Sequence, residues 1–120
     1  MTGMRLLALL FVVALMTLGQ ILFKVAAGKV GTPGANLEFL GRLLTNVPLL
    51  VGIVVYGITT ILWVIVLSDS NLSKSYPFVA LTMVLVPIAG IVLFDEPFSP
   101  ALAIGGALII AGLVVIANYA

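Results

Sequence analysis

The chain has 120 residues, of which 63% are hydrophobic and 8% are charged, and its formal net charge is +1. Soluble domains carry about 25% charged residues, so the composition excludes a soluble protein and predicts one integral membrane domain over residues 1–120. The sequence has no basic run, which excludes nucleic-acid binding, and it has no histidine or cysteine to bind a metal or act as a nucleophile. We therefore expect no enzyme activity and no cofactor.

Four apolar segments are long enough to cross a membrane as helices, at about 1.5 Å per residue and a hydrocarbon core of about 30 Å. The predicted transmembrane helices cover residues 5–27, 47–68, 75–94 and 100–118. A shorter amphipathic helix is predicted at residues 37–45, after a turn rich in glycine and proline, and we expect it to lie flat on the membrane surface. The predicted fold class is all-α, a bundle of four transmembrane helices with this interfacial helix between the first and second.

Polar side chains in the first helix are the strongest candidates for a binding site. Thr17, Gln20 and Lys24 are spaced i, i+3 and i+7, so they project from one face. In one interpretation this polar face lines a cavity, where Gln20 donates hydrogen bonds and Lys24 holds an anionic headgroup such as a phosphate. In the other, Lys24 extends to the membrane surface and Gln20 bonds to a neighbouring helix.

The third helix adds three more candidates. Ser75 and Tyr76 stand at its start, where free N–H groups attract anions, although serine is also favoured there as a simple helix cap. Pro87 lies in the middle of the helix and removes a backbone hydrogen bond. It is either a hinge or kink that widens a cavity, or a proline that packed membrane helices tolerate. Asp95 and Glu96 follow the helix and are predicted to lie in a turn outside the bilayer.

Small residues on the fourth helix predict a packing face. This stripe consists of Ala101, Gly105, Leu108 and Gly112, which share one side of the helix. Small side chains let helices approach closely, and the stripe suits either a dimer contact or internal packing. Because four short helices enclose little space, we expect a dimer or a partner subunit.

The distribution of lysine and arginine does not select a membrane orientation. Arg5 and Lys74 lie on the side of the predicted termini, whereas Lys29 and Arg42 lie on the opposite side. The positive-inside rule needs an asymmetry between the two sides, and this chain has none. Such balance allows insertion in both orientations, so that two antiparallel copies would form a pseudo-symmetric transporter.

Several motifs resemble the small four-helix members of the drug/metabolite transporter superfamily, the EamA-like proteins. They are Tyr76-Pro77, residues 94–100 (FDEPFSP) and Gly19-Gln20 with Lys24 downstream. The chain resembles the small subunits of the flippase for undecaprenyl-phosphate-linked aminoarabinose, over nearly its whole length apart from residues 29–46. The resemblance implies a multi-pass protein of the bacterial inner membrane that moves a polyprenyl-phosphate-linked sugar or a related anionic lipid. It also implies a homodimer, or a heterodimer with a second small subunit, and a headgroup path along Gln20, Lys24 and Tyr76.

Two alternative functions remain open. The chain is also similar to small multidrug resistance exporters. Their dimer contact is a glycine stripe on the fourth helix, which corresponds to Gly105 and Gly112 here. Those exporters require a glutamate eight residues before the lysine, and this sequence has Met16 there. Export of small cations or metabolites therefore lacks an obvious coupling residue. The other alternative is a membrane subunit that transports nothing and only supports a partner.

Overall fold

The computed structural model describes residues 3–120, and these residues form a helical bundle. Its elements in chain order are α1 (Gly3–Ala27), α2 (Leu37–Leu44), α3 (Val47–Leu67), α4 (Leu72–Ser75), a 3₁₀ helix (Tyr76–Leu81), α5 (Thr82–Phe94) and α6 (Pro100–Tyr119). Four stretches are long and apolar enough to cross a membrane: Gly3–Ala27, Val47–Leu67, Leu72–Phe94 and Pro100–Tyr119. No strand occurs within the described range, so the predicted all-α membrane bundle is confirmed.

The closest packing joins α1 to α3 through two glycines that each receive an aromatic ring. Tyr56 packs against Gly19, where a Cβ atom would overlap the ring, and Phe23 packs against Gly52, where a Cβ atom would lie 2.7 Å from the ring. The Phe23 and Tyr56 rings stack with centroids 5.2 Å apart and planes 11° apart. Both glycines therefore set the distance and the register between the two helices.

Asn46 connects the end of α1 to the start of α3. Its side-chain oxygen accepts a hydrogen bond from the Leu49 N–H at 3.3 Å, which caps α3. Its Nδ2 donates to the Ala26 carbonyl at 3.0 Å, which satisfies an acceptor at the end of α1. The side chain is buried, with 6% of the residue exposed. Asn46 is thus both the cap of α3 and a connection between α1 and α3.

We expect Asn46→Ala to lower the free energy of unfolding by about 1.5–2.5 kcal/mol, because it removes a helix cap and the hydrogen bond that joins α3 to the Ala26 carbonyl, which keeps only the Lys29 N–H at 2.9 Å. Asn36 is the matched control, since it caps α2 through the Phe39 N–H at 2.8 Å but is exposed. Asn36→Ala should cost about 0.5–1 kcal/mol. Reversible unfolding in mixed micelles measures both, and equal losses would contradict the bridging role of Asn46.

The loop before α2 is held by one arginine. Arg42 donates from Nε to the Val30 carbonyl at 2.9 Å and from NH2 to the Thr32 carbonyl at 2.7 Å. Its NH1 pairs with Glu38 at 3.1 Å. The leucines on the other face of α2 are exposed, among them Leu37 at 85%. An uncovered apolar face supports the prediction that α2 lies on the membrane surface.

The third span differs from the predicted uninterrupted helix. It begins with the single turn of α4, continues as a 3₁₀ helix and becomes α-helical only at Thr82. Pro77 explains the change, since proline has no N–H and its ring clashes with the carbonyl four residues earlier. Pro87, in contrast, lies inside α5, which continues through it as an α-helix.

The stripe on α6 faces away from the other helices. A Cβ atom added at Gly105 or Gly112 would meet nothing within 4 Å, and Leu108 is 69% exposed. The internal contact of α6 lies on the neighbouring face, where Gly106 approaches Val84 at 3.9 Å from an ideal Cβ. Gly106, and not the stripe, therefore packs against the rest of the chain. A dimer contact is the role that stays a prediction for the stripe.

Candidate functional site

A cavity between α1 and α5 contains the two strongest sequence candidates, Gln20 and Lys24. Its volume is about 330 Å³. The lining residues are Gln20, Ile21, Phe23, Lys24, Val86, Ala89, Gly90, Phe94 and Glu96. Three of these are polar and the others are apolar or glycine, so the cavity is an apolar groove with a small polar group at one end.

An ion pair forms the polar end of this cavity. The Lys24 Nζ lies 3.6 Å from Oε2 of Glu96, and the two side chains are 54% and 46% exposed. Both groups can therefore be reached from outside the chain. A pair this exposed contributes little to stability, on the order of 0–1 kcal/mol, so the fold depends little on it.

The backbone after α5 brings Glu96 into this position. Asp95 ends the helix in the left-handed conformation, with φ 54°, and reverses the chain direction. The Glu96 N–H then donates to the Gly90 carbonyl at 3.3 Å. The Glu96 carboxylate turns back along the helix over Gly90, where a Cβ atom would overlap Oε1. Glycine at position 90 is therefore needed for the carboxylate to face Lys24.

Gln20 is held in place by α3. Its Nε2 donates to the Tyr56 hydroxyl at 2.6 Å, and this hydroxyl donates to the Met16 carbonyl at 3.3 Å. The bond uses one of the two Gln20 N–H groups, so the amide keeps hydrogen-bonding capacity for a ligand. Because the Tyr56 ring rests on Gly19, the α1–α3 contact fixes the orientation of Gln20.

Thr17 does not reach the cavity. Its Oγ1 donates to the Val13 carbonyl of the same helix at 2.9 Å. This bond is the usual way in which a membrane helix satisfies a threonine hydroxyl. The polar face predicted from the spacing of three residues is thus reduced to two of them, Gln20 and Lys24.

Ser75 and Tyr76 lie at the opposite end of α1. Ser75 is fully buried and its hydroxyl donates to Ser70 Oγ at 2.9 Å, while Tyr76 packs edge-on against Trp63 at 6.2 Å. Ser75 lines a second, polar cavity of about 410 Å³ near Arg5. Arg5 and Lys24 are 19 positions apart, or about 28 Å along a helix. The structure therefore separates Tyr76 from the Gln20 and Lys24 end.

Pro87 lines a third cavity, between α5 and α6, with a volume of about 370 Å³ and an apolar lining that includes Phe98 and Gly106. The position is compatible with a proline that shapes a cavity wall. Its role as a hinge remains a prediction.

Two residues of the site were not among the sequence candidates. The sequence places Tyr56 on the second span, available for contacts at the membrane interface or with a partner, but it does not predict the bond to Gln20, because the register between α1 and α3 depends on Gly19 and Gly52. The sequence predicts Glu96 in a turn, and its backbone lies in one, but its side chain returns to the cavity. The signals in the sequence are Gly90, six residues before Glu96, and Asp95, directly before Glu96, a residue type that can adopt the left-handed conformation.

Comparison with known proteins confirms the resemblance drawn from the motifs over about half of the chain, which is less than the nearly whole length that was expected. The chain is 36% identical over 62 residues to proteins named probable 4-amino-4-deoxy-L-arabinose-phosphoundecaprenol flippase subunit ArnE, from Escherichia coli O139:H28, Escherichia coli K12 and Shigella boydii serotype 18. The aligned residues are 52% of this chain and 56% of each relative, so the match spans about half the length of the curated relatives. No protein-family profile and no solved structure matches the chain. The chain is thus a multi-pass membrane protein similar to small flippase subunits.

Proposed function

We propose that this protein is one subunit of a flippase in a bacterial inner membrane, which moves a polyprenyl-phosphate-linked sugar or a related anionic lipid between leaflets. The observation that carries the proposal is the cavity between α1 and α5, where Lys24 and Gln20 stand at the polar end of an apolar groove. The names of the relatives support a lipid-linked sugar as cargo and a transporter in place of an enzyme.

The chemistry of the cavity suits a phosphate headgroup attached to a lipid. Lys24 offers an ammonium group to the phosphate, and Gln20 offers an N–H group that is oriented by Tyr56. The apolar wall, which includes Val86 and Phe94, suits the first carbons of a polyprenyl chain while the rest of the tail stays in the bilayer. A half-exposed lysine is accessible to such a lipid from the side.

A second subunit is part of the proposal. The cavity is open on one side, and α6 has one buried residue, Leu113, along its described length. The stripe of Ala101, Gly105, Leu108 and Gly112 is uncovered and has small residues at the positions where helices approach closely. A second copy or a second small transporter subunit would bury this stripe, and the transporter would then be an assembly of two subunits.

The exporter alternative gains one feature and lacks another. Glu96 gives the cavity a carboxylate that Met16 does not provide, but its charge is matched by Lys24 at 3.6 Å. A small cation would have to compete for the carboxylate with this lysine, which the chain itself holds beside it. Thermal shifts with quaternary ammonium, guanidinium and polyamine compounds would reveal such binding. We expect that none of these compounds stabilises the protein in a way that depends on the Glu96 carboxylate, so Glu96→Gln should abolish no thermal shift.

The experiment that tests the proposal is lipid binding and leaflet exchange in proteoliposomes, with Lys24→Ala as the variant. We expect Lys24→Ala to weaken binding of a short-chain polyprenyl-phosphate sugar about tenfold and to slow exchange, because it removes a charge-assisted contact to the phosphate. Native mass spectrometry measures binding, and quenching of a labelled lipid measures exchange. Subunit assembly should survive, because Lys24 is half exposed.

Lys29→Ala is the matched control, since Lys29 lies five residues away and lines another cavity with Arg42 and Asn46. It should leave lipid binding unchanged. If the chain only supports a partner, the double variant Gln20→Leu/Lys24→Leu should still bind that partner and should leave the activity of the complex unchanged. The proposal fails if no polyprenyl-phosphate lipid is exchanged, with or without a second subunit, or if Lys24→Ala binds lipid like the original chain.

A further inference from the structure

From the Lys24–Glu96 pair we infer that Glu96 is a specificity-determining residue, which selects lipid headgroups carrying a positively charged amine beside the phosphate. The inference rests on the proposed function and adds the second half of the recognition. Lys24 takes the phosphate, and Glu96 takes the amine. Glu96 has no role in the function derived above except as the partner of Lys24.

The first step is the charge balance of the cavity. Among its lining residues, Lys24 and Glu96 are the two that carry charge, so the cavity is neutral as a whole. The remaining wall offers no cation that could replace Lys24 beside the carboxylate. A ligand that binds Lys24 therefore removes the counter-ion of Glu96 unless it brings a positive charge of its own.

The second step is the cost of separating the pair. A headgroup with a phosphate alone would occupy Lys24 and leave the Glu96 carboxylate without a counter-ion beside an apolar wall. Because the pair is about half exposed, water compensates part of this loss, but a phosphate bound beside the unpaired carboxylate also adds repulsion between two negative charges. A headgroup that carries a phosphate and an ammonium group replaces both, and the site stays neutral.

The third step is geometric. The nitrogen and oxygen of the pair are 3.6 Å apart, at the edge of ion-pair distance, and both side chains are about half exposed. The long, flexible Lys24 side chain can move while the Glu96 backbone stays fixed by its bond to Gly90. The two charges can thus separate enough to admit a sugar ring between them without a change in the helices.

The fourth step is the position of the carboxylate. A glutamate in an open turn would normally extend into water, where its charge is best solvated. Here the left-handed Asp95 and the missing side chain at position 90 turn it towards the cavity instead. Since the exposed pair adds little stability, this arrangement is best explained by a ligand that carries a positive charge.

The test compares two lipids that differ in one group. One is a short-chain polyprenyl phosphate bearing 4-amino-4-deoxyarabinose, and the other bears arabinose, with a hydroxyl in place of the amine. Dissociation constants are measured by native mass spectrometry for the full chain in nanodiscs. We expect the amine lipid to bind about tenfold more tightly, at the lower end of a charge-assisted contact because Glu96 is half exposed.

Glu96→Gln should reduce this preference to near one, because the amide keeps the size of the side chain and loses its charge. Asp95→Asn is the matched control. It removes the adjacent negative charge, which lies outside the cavity lining, and asparagine tolerates the left-handed conformation. The asparagine variant should keep the preference of the original chain.

Equal binding of the two lipids by the original chain would overturn the inference and leave the proposed function standing, whereas no binding of either lipid would overturn both. An unchanged preference in Glu96→Gln would also refute it. So would tighter binding of both lipids by that variant in equal measure, since Glu96 would then be only an internal competitor for Lys24. The comparison in the original chain needs no substitution, so a variant that misfolds does not remove the test.

Discussion

Gly19→Ala is expected to destabilise the fold by about 2 kcal/mol and to weaken lipid binding at the same time. A Cβ atom at this position would overlap the Tyr56 ring, which cannot simply turn aside because it stacks on Phe23. Overpacking of this kind costs about 1–3 kcal/mol. The displaced ring would also carry its hydroxyl away from Gln20, which now bonds to it at 2.6 Å. Unfolding in mixed micelles and lipid binding measure the two effects.

Gly57→Ala is the matched control for this prediction. Gly57 is also a helical glycine, adjacent to Tyr56 in the chain, but a Cβ atom there would meet nothing within 4 Å. This variant should be neutral or up to about 1 kcal/mol more stable, since alanine has the higher helix propensity. A second check is the double variant Gly19→Ala/Tyr56→Leu. Its loss of unfolding free energy should be smaller than the sum of the losses in the two single variants. Additive losses would show that the Gly19 and Tyr56 contact is not what alanine disrupts.

The four spans and the helical fold could be predicted because the lipid environment imposes a simple rule. A membrane helix must satisfy its backbone internally, and the length of each apolar run then reports a crossing. The sequence predicts residues 100–118 for the last span, and the structure has Pro100–Tyr119. The start of the third span was less predictable, because Pro77 produces a 3₁₀ helix whose extent depends on its surroundings.

The candidate site could be predicted on one helix only. Gln20 and Lys24 share a face by helix geometry, and the structure places both in one cavity. Their partners come from other helices, and no spacing rule connects Gln20 to Tyr56 or Lys24 to Glu96. Tyr76 is a residue for which the sequence suggested a contact that the bundle does not bring to the site. Its place at the start of a span suggested an anion contact, but the register of the bundle sets it against Trp63.

Gly19 and Gly90 contribute to the site in the same way. In each, the absence of a side chain on one helix lets a polar group be positioned from elsewhere, the Tyr56 hydroxyl above Gly19 and the Glu96 carboxylate above Gly90. The two groups then meet the polar residues of α1 from different sides. Substitution of either glycine therefore moves a polar group of the site without changing that group itself.

Gly90→Ala should move the Glu96 carboxylate away from Lys24 without changing any charge. The new Cβ atom would take the space of Oε1, while the bond from the Glu96 N–H to the Gly90 carbonyl keeps the backbone in place, so the side chain must rotate outward. A carbodiimide joins a lysine to a carboxylate only when the two are in contact. We expect the Lys24–Glu96 cross-link, detected by mass spectrometry, to form in the original chain and to be largely lost in Gly90→Ala.

Gly106→Ala separates this effect from a general effect of alanine in a membrane helix. Its Cβ atom would meet Val84 at 3.9 Å, an ordinary contact, so both variants gain about 1 kcal/mol of helix propensity but only one displaces a carboxylate. The control should keep the cross-link and the preference for an amine-bearing lipid, and Gly90→Ala should lose both. If Gly90→Ala retained the cross-link, the turn after α5 would not be what positions Glu96. The link between glycine at position 90 and headgroup selection would then be wrong, whatever the lipid-binding results.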